Sequence, residues 1–144
     1  MSDYRKILLV VDLSDDSQVV GERAKAIAAC YGGSQITLLH VVEYVPVEPM
    51  GEALLPTVQI EGELVARART RLTELAQRLS LAGSVQLVET GSIKSEIIRT
   101  AQRLGVDLIV LGSRERHGLA ILLNFTEDTI LHAAPCDVLA VRLH

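Results

Sequence analysis

The chain contains no tryptophan, and its aromatic side chains are three tyrosines and one phenylalanine. That leaves little on which nucleobases could stack. Positive charge is not in surplus either. The formal net charge is −4, so the electrostatic footprint of a nucleic-acid partner is missing. Long hydrophobic runs are absent. The longest are strand-sized, such as Ile7–Val11, which Asp12 closes; they are too short for a membrane span or a signal-peptide core. The two cysteines, Cys30 and Cys136, form no CxxC pattern. They read as reduced, mostly buried thiols of a cytoplasmic protein, not as a disulfide framework. His40, His117, His132 and His144 stand at no metal-ligand spacing from one another, from a cysteine or from a carboxylate, which predicts no metal site.

What is abundant is aliphatic. Hydrophobic residues fill 49% of the 144 positions, enough for one domain with a real core over residues 1–144. Short apolar runs alternate with helical patterns. Residues 6–11, 34–42, 84–89, 107–112 and 137–143 read as strands, apolar throughout as strands covered on both faces should be. Between them, Val20, Ala24, Ile27, Ala28 and Tyr31 fall on one face of a helix. Leu64, Ala68, Leu72, Leu75, Ala76 and Leu79 do the same, as do Ile93, Ile97, Ala101 and Leu104. A fourth helix is predicted from about Thr126 to His132. Ser14, followed by Asp15 and Asp16, is expected to cap the first helix, and Gly32-Gly33 to end it. Ser92 should open the third and Gly105 close it. This alternation means βαβ crossovers, hence an α/β fold with a parallel sheet and helices on both faces. Residues 43–58, with Pro46, Pro49 and Pro56, show no period and read as a long connection: a flap over the site or a loop with no role.

In an open parallel sheet, ligands bind beyond the carboxyl ends of the strands, where the chain order reverses. Asp12, Val41 and Gly112 stand at those ends. No catalytic residue is visible there: Ser92 and Ser113 follow glycines, but without a GxSxG elbow or a paired base. The chain therefore reads as a binding protein, not an enzyme.

The segments "ILLVVDLSDDS", "LLHVVE", "GVDLIVLGS" and "ILHAAPCDVLAVR" together resemble the universal stress protein family, in order and spacing, over nearly the whole chain. The resemblance implies five parallel strands in the order 3-2-1-4-5, an adenine-nucleotide alpha-hydrolase-like arrangement. It also implies four main helices, a homodimer and a role in bacterial stress survival. Some members of that family bind ATP through a loop of the form G-2x-G-9x-G-(S/T), with an Asp after the first strand and a Val after the second. Asp12, Val41 and Gly112 match those positions, and Thr126 matches the final hydroxyl. Glu115 and Phe125 stand where the second and third glycines belong.

Those two departures matter physically. A phosphate cradle needs inward-turned N–H groups with no side chain in the way. Phe125 brings a ring to the mouth of the fourth helix, and Glu115 brings a carboxylate. Unit charges about 4 Å apart interact at roughly 4 kcal/mol at an effective dielectric of about 20. Glu127 and Asp128 occupy the positive end of the helix dipole, and Thr126 suffices as that helix's N-cap without a ligand. Arg114, Arg116 and His117 act in the opposite sense, toward phosphates. The leading expectation is a signalling protein with a degenerate nucleotide site, in which partner proteins or phosphorylation matter more than ATP. The first alternative keeps ATP, with Mg, held by Asp12, Val41, Gly112, Arg114 and Thr126 and slowly hydrolysed. A second, an enzyme of a related adenine-nucleotide fold, lacks catalytic residues.

The implied order puts the last strand, residues 137–143, at the sheet edge although it is apolar on both faces. Such an edge invites pairing with a second copy, and a charge at Val141 is expected to give monomers.

Overall fold

The computed structural model describes residues 3–43, 54–114, 130 and 132–143. Its strands are β1 (Lys6–Val10), β2 (Gln35–Val42), β3 (Gln86–Thr90), β4 (Leu108–Arg114) and β5 (Asp137–Leu143). Its helices are α1 (Ser17–Cys30), α2 (Leu54–Arg78) and α3 (Ile93–Leu104). Helical backbone recurs at Ile130 and at residues 132–133; the rest of the predicted fourth helix lies outside the described residues. All strand pairs are parallel, in the order β3-β2-β1-β4-β5.

β1 is the hub because it is apolar on both faces. Ile7, Leu9 and Val11 join Val20 and Ala24 of α1, Leu72 and Leu75 of α2, and Leu79 just beyond it, on one side. Leu8 joins Ile97 and Ala101 of α3, with Ile130, on the other. Leu8 and Leu9 are fully buried, each contributing about 1.5–3 kcal/mol relative to exposure. The chain winds from β1 outward to β3, then returns through α3 to lay β4 on the other side of β1. That reversal between β1 and β4 is the switch point.

Several expectations need correction. Ser14 does not cap α1. The helix starts at Ser17, behind Asp16, with no side-chain cap and no acid in its first turn. The Asp12 carboxylate has captured Ser14 instead, which turns residues 12–16 into a separate loop. Residues 43–58 are not wholly a connection, because α2 begins at Leu54. Pro56 falls in its first turn, where its missing N–H has no partner to lose. Leu64, expected inside, is 37% exposed. Gly105 does close α3, in the left-handed conformation with φ 62°.

The edge position of β5 is as expected, but its side chains are not all available. Val141 is 3% exposed and belongs to the protein's own core, as does Leu143. Ala140 and Arg142 face solvent. Val141 is thus a core residue and not an interface probe, because α1 covers its face of the sheet.

At the amino end of the sheet, the Tyr4 hydroxyl donates to Asp137 Oδ2 at 2.7 Å. This bond, then burial and the Asp137 charge, raise the Tyr4 pKa above 10.0, since ionisation would lose the donor and set two anions together. The stabilisation is fully present below the unfolded tyrosine pKa and is lost as pH rises through the folded one. Absorbance titration at 295 nm should show a component above the ordinary tyrosine range. Tyr4→Phe should remove it; an unchanged titration would contradict the assignment.

Candidate functional site

The carboxyl end of β1 is built with unusual rigidity. Asp12 Oδ1 accepts from the Ser14 N–H at 2.9 Å, the Ser14 hydroxyl at 2.6 Å and the Ser17 hydroxyl at 3.0 Å. Leu13 follows in the left-handed region, φ 63°, which costs a branched residue about 1–2 kcal/mol. Two contacts hold it there. Its side chain is buried in the core, and its carbonyl accepts from Arg71 Nη2 of α2. One residue earlier, the Val11 carbonyl accepts from His40 Nδ1 at 2.8 Å, which fixes the hydrogen on that nitrogen, since a carbonyl can only accept. Strained backbone held by its surroundings is a mark of functional loops.

β1 pairs Val10 with Leu39 and Leu9 with Val110. Continued by two or three residues, that register sets Asp12 between Val41 on β2 and Ser113 on β4. The predicted residues Asp12, Val41 and Gly112 thus come to one edge of the sheet, around the switch point. Val41 is buried there among Leu8, Leu39 and Ile97 on the α3 side. Gly112 lies inside β4, opposite Val141, not in a turn after the strand. A Cβ on Gly112 would stand 2.7 Å from Leu143 Cδ1 and 3.2 Å from Val20 Cγ2. Gly112 therefore sits at a close approach of α1 and β5, where a side chain would have to push the end of Leu143 aside. Arg114 is the last residue of β4, its backbone opposite Leu143. Thr126 lies outside the described residues, with Glu115, Arg116, His117 and Phe125.

Sequence reasoning missed three features. Arg71 and His40 support the Asp12 loop from α2 and β2; only their three-dimensional neighbours show this. A cleft of about 200 Å³ beside that loop is lined by Ser14, Asp15, Arg71, Glu74 and Arg78, with two charges of each sign. Glu96, in the first turn of α3, is buried, with Oε1 accepting from Arg99 Nη2 at 2.5 Å, and its side chain lies against Gly91 at the β3–α3 turn. Among the described residues no three His, Cys, Asp or Glu side chains converge as metal ligands would, and no helix is long and apolar enough to cross a membrane.

Comparison with known proteins agrees with this architecture. The chain is 38% identical over 145 residues to universal stress protein A homolog 2 of Coxiella burnetii, covering 99% of this chain and 98% of that protein. Among solved structures, it matches the universal stress protein UspA of Lactobacillus plantarum with a TM-score of 0.82 and 25% identity, over 99% of this chain and all of that one. It also matches a universal stress protein crystallised in complex with cAMP, with a TM-score of 0.70 and 22% identity, over 97% and 98% of the two chains. Residues 3–142 fit the model of the universal stress protein family, and with a doubly wound sheet in the order 3-2-1-4-5 the chain belongs to that family.

Proposed function

We propose that this protein is a stress-response binding and signalling protein, acting as a homodimer, whose nucleotide site is degenerate. It binds ATP weakly or not at all, and partner proteins or phosphorylation carry the signal. Gly112 is the observation that carries this reading. The one cradle glycine that the sequence retains packs closely against Leu143 and Val20, so it has a structural use without any ligand. Two supports stand beside it. Asp12 Oδ1 is occupied by Ser14 and Ser17, and Glu115 and Phe125 stand at the other cradle positions. A cytoplasmic location fits the two unpaired cysteines.

A second reading keeps the nucleotide, around Asp12, Val41, Gly112, Arg114 and Thr126, with Mg²⁺ and slow hydrolysis. The solved relative in complex with cAMP favours it. One experiment separates the two. Protein purified without added ligand is denatured, and the supernatant is run on anion exchange with detection at 260 nm. No stoichiometric nucleotide is expected, and calorimetry should show weak or no Mg-ATP binding. Replacing Glu115 and Phe125 together by Gly should then raise ATP affinity by about tenfold or more, a gain of roughly 1.4 kcal/mol. A stoichiometric nucleotide in the native protein would overturn the degenerate-site reading.

The homodimer we propose forms through β5, the last strand in the sheet order, since an edge strand is where a second copy can add. A twofold axis perpendicular to the sheet keeps each face with itself. Side chains on the same face must then meet, and the register that uses the whole strand sets Ala140 opposite Ala140, Val138 opposite Arg142 and Leu139 opposite Val141.

A further inference from the structure

The amino end of the sheet, remote from Asp12, carries a concavity of its own. A depression of about 360 Å³ is lined by Tyr4, Ile27, Cys30, Tyr31, Asp137 and Val138, among others. These residues gather from the approach to β1, the end of α1 and the start of β5. Two of the chain's four aromatic residues meet here, with ring centroids 5.1 Å apart in an edge-on arrangement. Tyr31 is 44% exposed, although a ring of that size is favoured inside. Ile27 and Leu139, both packed on the α1 side of the sheet, give the depression an aliphatic wall, while Asp137, holding the Tyr4 hydroxyl, gives it an anionic rim. Asp107 lies on the same side. Its Oδ2 accepts the N–H groups of Arg5 and Lys6 at 2.9 Å, and its charge, with that of Asp137, acts on Cys136. No lysine, arginine or histidine is among the described residues that line the depression.

Aromatic rings, an aliphatic wall and a carboxylate without a cation of its own form the chemistry that recognises an organic ammonium. The ring faces and the carboxylate attract the charge, and the wall takes the apolar body. We propose that this depression binds a small cationic amphiphile, a primary amine on an aromatic or aliphatic body. The site lies away from the nucleotide end of the sheet and does not rest on the nucleotide reading, though it shares the start of β5 with the proposed dimer edge.

The test uses the full chain and three matched probes: phenethylamine, neutral 2-phenylethanol and anionic phenylacetate. Amide NMR should show saturable shifts at Tyr4, Tyr31 and Asp137. The amine should bind about fivefold to tenfold tighter than the alcohol, the worth of one favourable cation contact at a partly exposed site, and phenylacetate should bind most weakly. Cys30 supplies an independent readout. It is exposed, whereas burial, with the Asp137 and Asp107 charges, pushes the Cys136 thiol up. Maleimide at neutral pH should therefore label Cys30 first, and saturating phenethylamine should slow that labelling by about threefold or more. Tyr31→Ala, a change at an exposed ring, should abolish both effects. Asp137→Asn should erase the preference for amine over alcohol; if that variant does not fold, the ratio measured in the native chain decides the same point. Equal affinity for all three probes, or shifts that do not saturate, would overturn the proposal. So would a Cys30 that resists labelling before any probe is added, because a second copy or another protein then covers this face.

Discussion

A lysine in place of Val141 should unfold the protein, not yield a folded monomer. Val141 is 3% exposed and packs with the cluster that includes Val20 and Leu143. An ammonium there would sit among the apolar side chains of that cluster, and burying such a charge costs several kcal/mol. That is a large share of the roughly 5–15 kcal/mol by which a domain is stable. Thermal melting followed by circular dichroism should show no cooperative transition for Val141→Lys. The interface is probed instead at Ala140, on the solvent-facing side of the strand. Ala140→Arg sets two guanidiniums against each other at the proposed twofold axis, and should give a folded monomer in sedimentation with a melting curve close to the native one. A dimer that survives Ala140→Arg would place the interface elsewhere. A normally melting Val141→Lys protein would mean that the core does not close over β5.

Gly112→Ala should destabilise the protein with no nucleotide present. The added methyl meets Leu143 Cδ1 at 2.7 Å and Val20 Cγ2 at 3.2 Å. The end of the Leu143 side chain must shift to admit the methyl, and because Leu143 is buried and Val20, β-branched on a helix, has little rotameric freedom, part of the strain remains. Overpacking of this kind costs about 1–3 kcal/mol. For a domain of this length that corresponds to a fall of about 3–10 °C in melting temperature. Shortening the obstacle, as Leu143→Val, should recover part of the loss in the Gly112→Ala background. If Gly112→Ala melts like the native protein, the glycine serves a ligand and the degenerate-site reading loses its main support.

How much was legible beforehand can be judged residue by residue. The five strands were, because β1, β2 and β4 are covered on both faces and so carry apolar residues pointing both ways along most of their length. The Ser92 and Gly105 boundaries of α3 were also legible, since the chemistry that ends a helix is local. The start of α1 was not. Ser14 is a good cap by composition, but the Asp12 carboxylate two residues earlier binds it more effectively. The start of α2 was hidden by Pro56, a helix breaker everywhere except in the first turn. At the site, the positions of Asp12, Val41 and Gly112 along the chain were legible because they close predicted strands, as the resemblance also implied. Their partners were not: Arg71 reaches Leu13 from a different helix, and His40 reaches Val11 from the neighbouring strand.

The sequence by itself determined the class of fold and the sheet's composition, because the alternation of apolar runs and helical periods records which faces must leave water. It also determined where the family's phosphate loop departs from its pattern, since Glu115 and Phe125 are read off directly. Only the tertiary structure decided what the shared residues do. Gly112 is a contact between β4, α1 and Leu143, and Val141 belongs to the core rather than to an interface, because α1 lies over that face of β5. Such roles depend on atoms brought within a few ångströms by folding from positions far apart along the chain, and no local pattern encodes that distance.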